Sequence, residues 1–260
     1  MKHLRTTLLV FLALNTYGQK IQKQEEILLR HEKKSNYWFQ NLHGTGSKNA
    51  SDSLGKENNL FKKVLLNLTK TDPASITYPF SKLESVAIVS SPDKKFRVYS
   101  RDLRTGGTMH FYDNIFQYQT NHKVFAYSPR YAHEQAETGA WIFEIFEVNI
   151  QNKKSYLAVY NIIGSSRISY QKVKAFSIEN QQLNSNFKLF KSGKNILNEI
   201  GFEFDFSSVA DRPERPVRLI KYDAKTRILK IPVVLEFGKV TKKFIHYEFD
   251  GRYFIYKYTR

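Results

Sequence analysis

Residues 85–119 read SVAIVSSPDKKFRVYSRDLRTGGTMHFYDNIFQYQ, and this stretch decides the fold. Val86 and Ile88 alternate with other residues toward Ser90, as Phe96 and Val98 do toward Ser100. Between the two runs stand Ser91, Pro92, Asp93 and Lys94. Proline presets the φ of a turn's first central position, and aspartate accepts bonds from nearby backbone N–H groups. The spacing therefore predicts two antiparallel strands joined by a tight turn. Gly106 and Gly107 permit positive φ and predict a second reversal into a strand over 109–119.

Downstream the same pattern recurs. Aromatic and β-branched runs at 124–127, 140–150, 155–162, 173–178, 187–190, 200–206, 218–222 and 227–231 are separated by turn residues, which predicts strands throughout. An aromatic content of 15%, with Phe 20 and Tyr 16, agrees, because flat side chains pack well on a pleated surface. At the C-terminus Asp250 and Gly251 have the chemistry of a two-residue hairpin turn. That register pairs Phe249 with Arg252, Tyr247 with Phe254 and Ile245 with Tyr256 on a buried face, and sets His246 and Glu248 on the other face opposite Ile255 and Tyr253.

Upstream the reading changes. Residues 19–42 lack proline and glycine and carry Ile21, Ile27, Leu28, Leu29, Tyr37, Trp38 and Phe39 among polar residues, which suits a helix. Residues 43–56, with Gly44, Gly46 and Gly55, read as a flexible connection. Over 57–68 the residues Leu60, Phe61, Val64, Leu65 and Leu68 fall on one helical face, and the helix ends before Asp72 and Pro73. Its apolar face is expected to pack on the following sheet.

Residues 1–18 have the form of a secretory signal peptide: Lys2, His3 and Arg5, an apolar run over 8–14, then Thr16, Tyr17 and Gly18. The apolar run falls short of the roughly 20 residues a membrane span needs. There is no cysteine, so neither a disulfide nor an N-terminal lipidated cysteine is available. The expectation is an exported protein, periplasmic or secreted, with a helical segment over 19–72 and an all-β domain over 73–260. Its fold class is mainly β, an antiparallel twisted sheet or sandwich with N-terminal helices.

Ser91, Pro92, Asp93, Lys94 and Lys95 followed by Phe96 to Tyr99 resemble the SPDGK turn and strand of TolB-like β-propeller blades, with Lys94 where that family prefers glycine. The pattern spans about ten residues and occurs once, so shared hairpin chemistry explains it. What the resemblance implies is the alternative fold, a small or degenerate β-propeller. The whole arrangement, with Thr105, Gly106, Gly107, Thr108, Met109 and His110 after the turn, resembles uncharacterised exported β proteins of Gram-negative bacteria. That likeness implies localisation and no activity.

No H-E-x-x-H, Gly-x-Ser-x-Gly or phosphate-loop motif occurs, so neither a metal nor a cofactor is expected. Three places remain. The loop 128–139 holds His133 and Glu134, types suited to acid–base work; a solvated loop is the plain structural alternative. Arg101, Asp102, Gly106, Gly107, His110 and Asp113 form a second group, where glycines beside a sheet let a ligand approach backbone amides; a turn needing glycine explains them equally. The third is a basic, aromatic-rich β surface.

Lys plus Arg number 41 against 24 Asp plus Glu, a formal +17, which speaks of anionic partners. Lys172, Lys174, Arg218, Lys221, Arg227, Lys230, Lys239, Lys242 and Lys243 recur beside Tyr and Phe, and cations with aromatics suit polyanions or sugars. Dispersed strand lysines also simply prevent edge aggregation. The functional expectation is a non-enzymatic binding or envelope-associated protein for an anionic glycan, lipid head group or envelope protein, not nucleic acid. The alternative is a secreted hydrolase using 128–139 and 102–113.

Overall fold

The computed structural model describes residues 2–42, 47–121, 123–129, 139–150 and 153–260. Two helices precede the strands, α1 (Lys2–Gln40) and α2 (Ser47–Thr71). Fifteen strands follow among the described residues. β1 (Val86–Ser90), β2 (Phe96–Asp102), β3 (Tyr112–Thr120) and β4 (Lys123–Tyr127) pair in chain order. β5 (Trp141–Ile150), β6 (Lys153–Ile163), β7 (Ile168–Glu179) and β11 (Glu199–Asp205) form a second sheet in the order β11-β7-β6-β5, with β8 (Gln182–Asn184) on β7. The third sheet takes β9 (Phe190–Ser192), β10 (Asn195–Leu197), β12 (Lys221–Asp223), β13 (Ile228–Val234), β14 (Val240–Phe249) and β15 (Phe254–Thr259), ordered β10-β9-β15-β14-β13-β12. The chain is thus mainly β with N-terminal helices. Three open sheets without radial blades overturn the propeller alternative.

The chain divides into two compact units, residues 1–86 with 115–128, and residues 87–114 with 129–260. In the first, α1 buries Ile21, Glu25, Leu28, Glu32 and Ser35, a stripe at helical spacing that includes two acids. Both acids have partners. Glu25 accepts from the Tyr78 hydroxyl (2.8 Å) and the Lys82 N–H (3.2 Å), and Glu32 from the Ser85 N–H (2.6 Å). Burial, then the bond and charge of Glu25, push the Tyr78 hydroxyl up to about 12. Helix α2 buries Ala50, Leu54, Phe61, Leu65 and Leu68 and packs against β4. Residues 47–56, expected to be a flexible connection, are its first turns, because Ala50 and Leu54 continue the apolar stripe. The 3-10 turn Pro73–Ile76 follows, where the Asp72 side chain accepts the Ala74 N–H. Gln117, fully buried in β3, donates to the Thr69 carbonyl and the Ser75 hydroxyl.

In the second unit, the β1–β2 turn forms as its residues predict. The Asp93 carboxylate accepts the Ser91 hydroxyl (2.6 Å) and the Lys95 N–H (3.1 Å), while Ser91 Oγ accepts the Phe96 N–H (3.0 Å). Lys94 takes φ +57°, the reason glycine would suit that position. The turn is tied to β6 by the Tyr156 hydroxyl, which donates to Asp93 (3.1 Å), and Phe96 packs on Tyr156 and Phe176. Val148, Leu157, Val159, Val173 and Ala175 of the second sheet share one core with Phe190, Leu229, Ile231, Phe249 and Phe254 of the third, which makes this unit a sandwich. Pairing within the second and third sheets is antiparallel except between β9 and β15, which run parallel.

The terminal hairpin corrects the expected register. Asp250 N–H donates to the Tyr253 carbonyl, and Asp250 Oδ1 accepts the N–H groups of Arg252 and Tyr253, so the turn holds residues 250–253. Phe249 therefore pairs with Phe254, Tyr247 with Tyr256 and Glu248 with Ile255. A register shift between His246 and Tyr247 then sets His246 opposite Tyr258. His246 is buried (4% exposed), and Tyr256 is 54% exposed.

Candidate functional site

The loop leaving β2 is built from Asp102 outward. Asp102 Oδ1 accepts the Arg104 N–H (2.8 Å) and starts the turn. The Leu103 N–H donates to the Phe111 carbonyl (2.8 Å) and closes it. Gly107 sits at φ +62°, and at Gly106 a Cβ would collide with the Met109 carbonyl oxygen, so both glycines serve the turn. The His110 N–H donates to the Ile163 carbonyl at the end of β6, fixing where the imidazole stands. Its Nδ1 meets Asp102 Oδ2 at 2.6 Å, with the His110 side chain 38% exposed. In that contact the Nδ1–H donates to the carboxylate, and Nε2 remains as the ring's second polar atom. The Tyr112 ring stacks on His110 at 6.3 Å; burial, then the Asp102 charge, pushes its hydroxyl well above the usual tyrosine range.

His110 lines a cavity of about 350 Å³ together with Trp141, Asn161, Ser169, Phe206 and Arg215. Trp141 and Asn161 are cross-strand partners on β5 and β6, and Asn161 faces Gln171 on β7. Gln171 Nε2 donates to Asn161 Oδ1 (3.0 Å) and to the Val217 carbonyl (2.6 Å), which leaves the Asn161 Nδ2 as a donor. The Arg215 guanidinium lies over the Phe206 ring (5.1 Å) and donates to the carbonyls of Ala210, Arg212 and Glu214. Among the described residues, no carboxylate lines this cavity.

Of the expected site residues, Asp102 and His110 come together here. Arg101 and Asp113 stand beside Asp102 and Tyr112 on their strands, so they point to the opposite faces; Arg101 is buried. His133 and Glu134 lie outside the described residues. Sequence reading missed Trp141, Asn161 and Arg215, whose approach no local pattern reveals.

The basic aromatic surface resolves into a strip on one face of the third sheet. Lys221 pairs with Lys230, Lys230 with His246, and His246 with Tyr258, giving a row across β12, β13, β14 and β15. Residues directly opposite share a face, and four strands make a row about 14 Å long. His246 stacks on Tyr258 with centroids 4.4 Å apart. In the adjacent row the Lys221 ammonium lies 5.8 Å from the Phe244 ring centroid, and Arg260, bonded to Phe244 through the backbone, lies over Tyr258 at 5.3 Å. Glu248 on this face is engaged by Lys257 (2.8 Å), and Asp223 caps its own turn.

Lys242 and Lys243 are exposed at the start of β14; alternation gives Lys242 the face of Phe244 and Lys243 the other. Several basic residues grouped with this surface have partners elsewhere. Lys172 and Lys174 reach Glu199 (3.3 and 3.6 Å), and Arg218 reaches Glu144 (3.0 Å). Burial lifts the Glu144 carboxyl above its ordinary range in spite of Arg218. Arg227 serves the β12–β13 turn at φ +57°.

No helix among the described residues is long and apolar enough to cross a membrane. No protein-family model matches the sequence, and a search of curated proteins finds no match.

Proposed function

We propose that the chain is an exported, non-enzymatic binding protein whose β12–β15 face holds an anionic glycan. The observation that carries this reading is the direct opposition of Lys221 and Lys230 in a row that ends on Tyr258, whose ring is backed by the buried His246. Like charges facing each other across a ladder destabilise a sheet, so a polyanion that neutralises both gains that repulsion back on binding. The Phe244 and Tyr258 rings beside the cations offer apolar faces to sugar rings. Export rests on the pattern of residues 1–18.

Heparin serves as the probe glycan. Lys221→Gln with Lys230→Gln is expected to weaken binding about tenfold or more at low salt, since each charge-assisted bond contributes roughly 1.5–3 kcal/mol. Unchanged affinity would sink the proposal, as would tight binding to anionic vesicles with none to heparin.

A second reading, a hydrolase, is favoured by one feature: Asp102 holds the His110 ring in the wall of a cavity also lined by Ser165, Ser166 and Ser169. Release of new reducing ends from the glycan, lost in His110→Gln, would support it over simple binding.

A further inference from the structure

We infer that the cavity between His110, Trp141 and Arg215 is a separate binding site for a single carboxylated sugar, a hexuronate. Its size, about 350 Å³, is at the small end of the range for ligand pockets. Its wall joins three chemistries that a hexuronate combines. The Trp141 indole and the Phe206 ring provide apolar surface for the face of a pyranose. Hydroxyls of Thr108, Ser166 and Ser169 and the Asn161 Nδ2 provide partners for sugar hydroxyls. Arg215 provides the charge.

Three backbone carbonyls and the Phe206 ring hold the Arg215 guanidinium in place, so little freedom remains to be lost when a carboxylate docks on it. Among the described residues no carboxylate lines the wall to compete with the ligand; Asp102 stands behind His110 and is engaged by it. The His110 Nε2, left open by that contact, adds a directional partner on another side of the ring. A neutral hexose would use the aromatic and hydroxyl contacts and leave Arg215 unanswered.

The site does not depend on the lysine strip, and one experiment separates the two. The sequence has two tryptophans, so Trp38→Phe leaves Trp141 as the fluorescent reporter of the cavity. Titration of that full-length variant with glucuronate is expected to give a saturable change in emission, with glucose weaker by about tenfold or more. Arg215→Gln should bring the two sugars to equal affinity. His110→Gln should weaken both while preserving the preference for glucuronate. Lys221→Gln with Lys230→Gln should change neither, although it weakens heparin. Equal affinities for the two sugars, no saturable change, or a glucuronate preference surviving in folded Arg215→Gln overturns the inference. Should Arg215→Gln fail to fold, undiminished affinity in His110→Gln overturns it.

Discussion

Asp93 shows how much one side chain can organise. It accepts from Ser91, the Lys95 backbone and Tyr156, and Lys154 approaches to 3.4 Å, so a turn made by neighbours is also fastened to a strand far along the chain. Burial alone would raise its carboxyl, but those hydrogen bonds and the Lys154 charge outweigh burial and hold it below the ordinary 3.8. A carboxyl depressed in the folded state contributes stability that is present above the unfolded value and is lost as pH falls through the folded one. Asp93→Asn is therefore expected to cost roughly 1–3 kcal/mol at neutral pH. Its deficit against the wild type should shrink as the pH is taken below 3.8. Urea unfolding of both proteins across that range measures it; a deficit constant with pH contradicts the assignment.

At the scale of the element, α2 carries a local conflict. Gly55 lies inside the helix, where glycine gives up more backbone freedom than any other residue, and a Cβ added there meets nothing within 4 Å. Gly55→Ala should stabilise the protein by about 1 kcal/mol, read as a higher unfolding midpoint with unchanged denaturant dependence. The strands make the complementary point. In β14 and β15 the turn over 250–253 and the bulge at His246 decide which residues meet, and they bring His246 onto Tyr258. A two-residue turn would have joined different partners and separated that stacked pair.

For the whole molecule, charge is the quantity with consequences. The formal +17 attracts any polyanion, and a localised site must be distinguished from that general attraction. Lys63→Gln with Lys70→Gln, both exposed on α2, removes the same charge as Lys221→Gln with Lys230→Gln. The α2 pair should change heparin affinity less than about twofold, whereas the strip pair lowers it tenfold; equal losses would mean that diffuse charge alone is at work. Binding to either variant should weaken with salt, because exposed charges are screened beyond about 8 Å at physiological ionic strength.

The sequence by itself determined whatever depends on neighbours in the chain. Strand alternation, the Asp93 turn, the apolar face of α2 and the glycine turn before His110 were all legible, and Asp102 meets His110 because they stand eight residues apart on one loop. Lys221 and Lys230 were visible as cations but not as a facing pair, since that depends on register. Only the tertiary structure decided the rest. Glu25 and Glu32 look like solvent residues until Tyr78, Lys82 and Ser85 bring donors to them. Trp141, Asn161 and Arg215 come from separate elements, and one residue of slip along a ladder would turn a side chain to the opposite face. The physical reason is that local geometry follows from each residue and its near neighbours, whereas a cavity wall or a cross-strand row exists only once distant segments have fixed their register on a shared core.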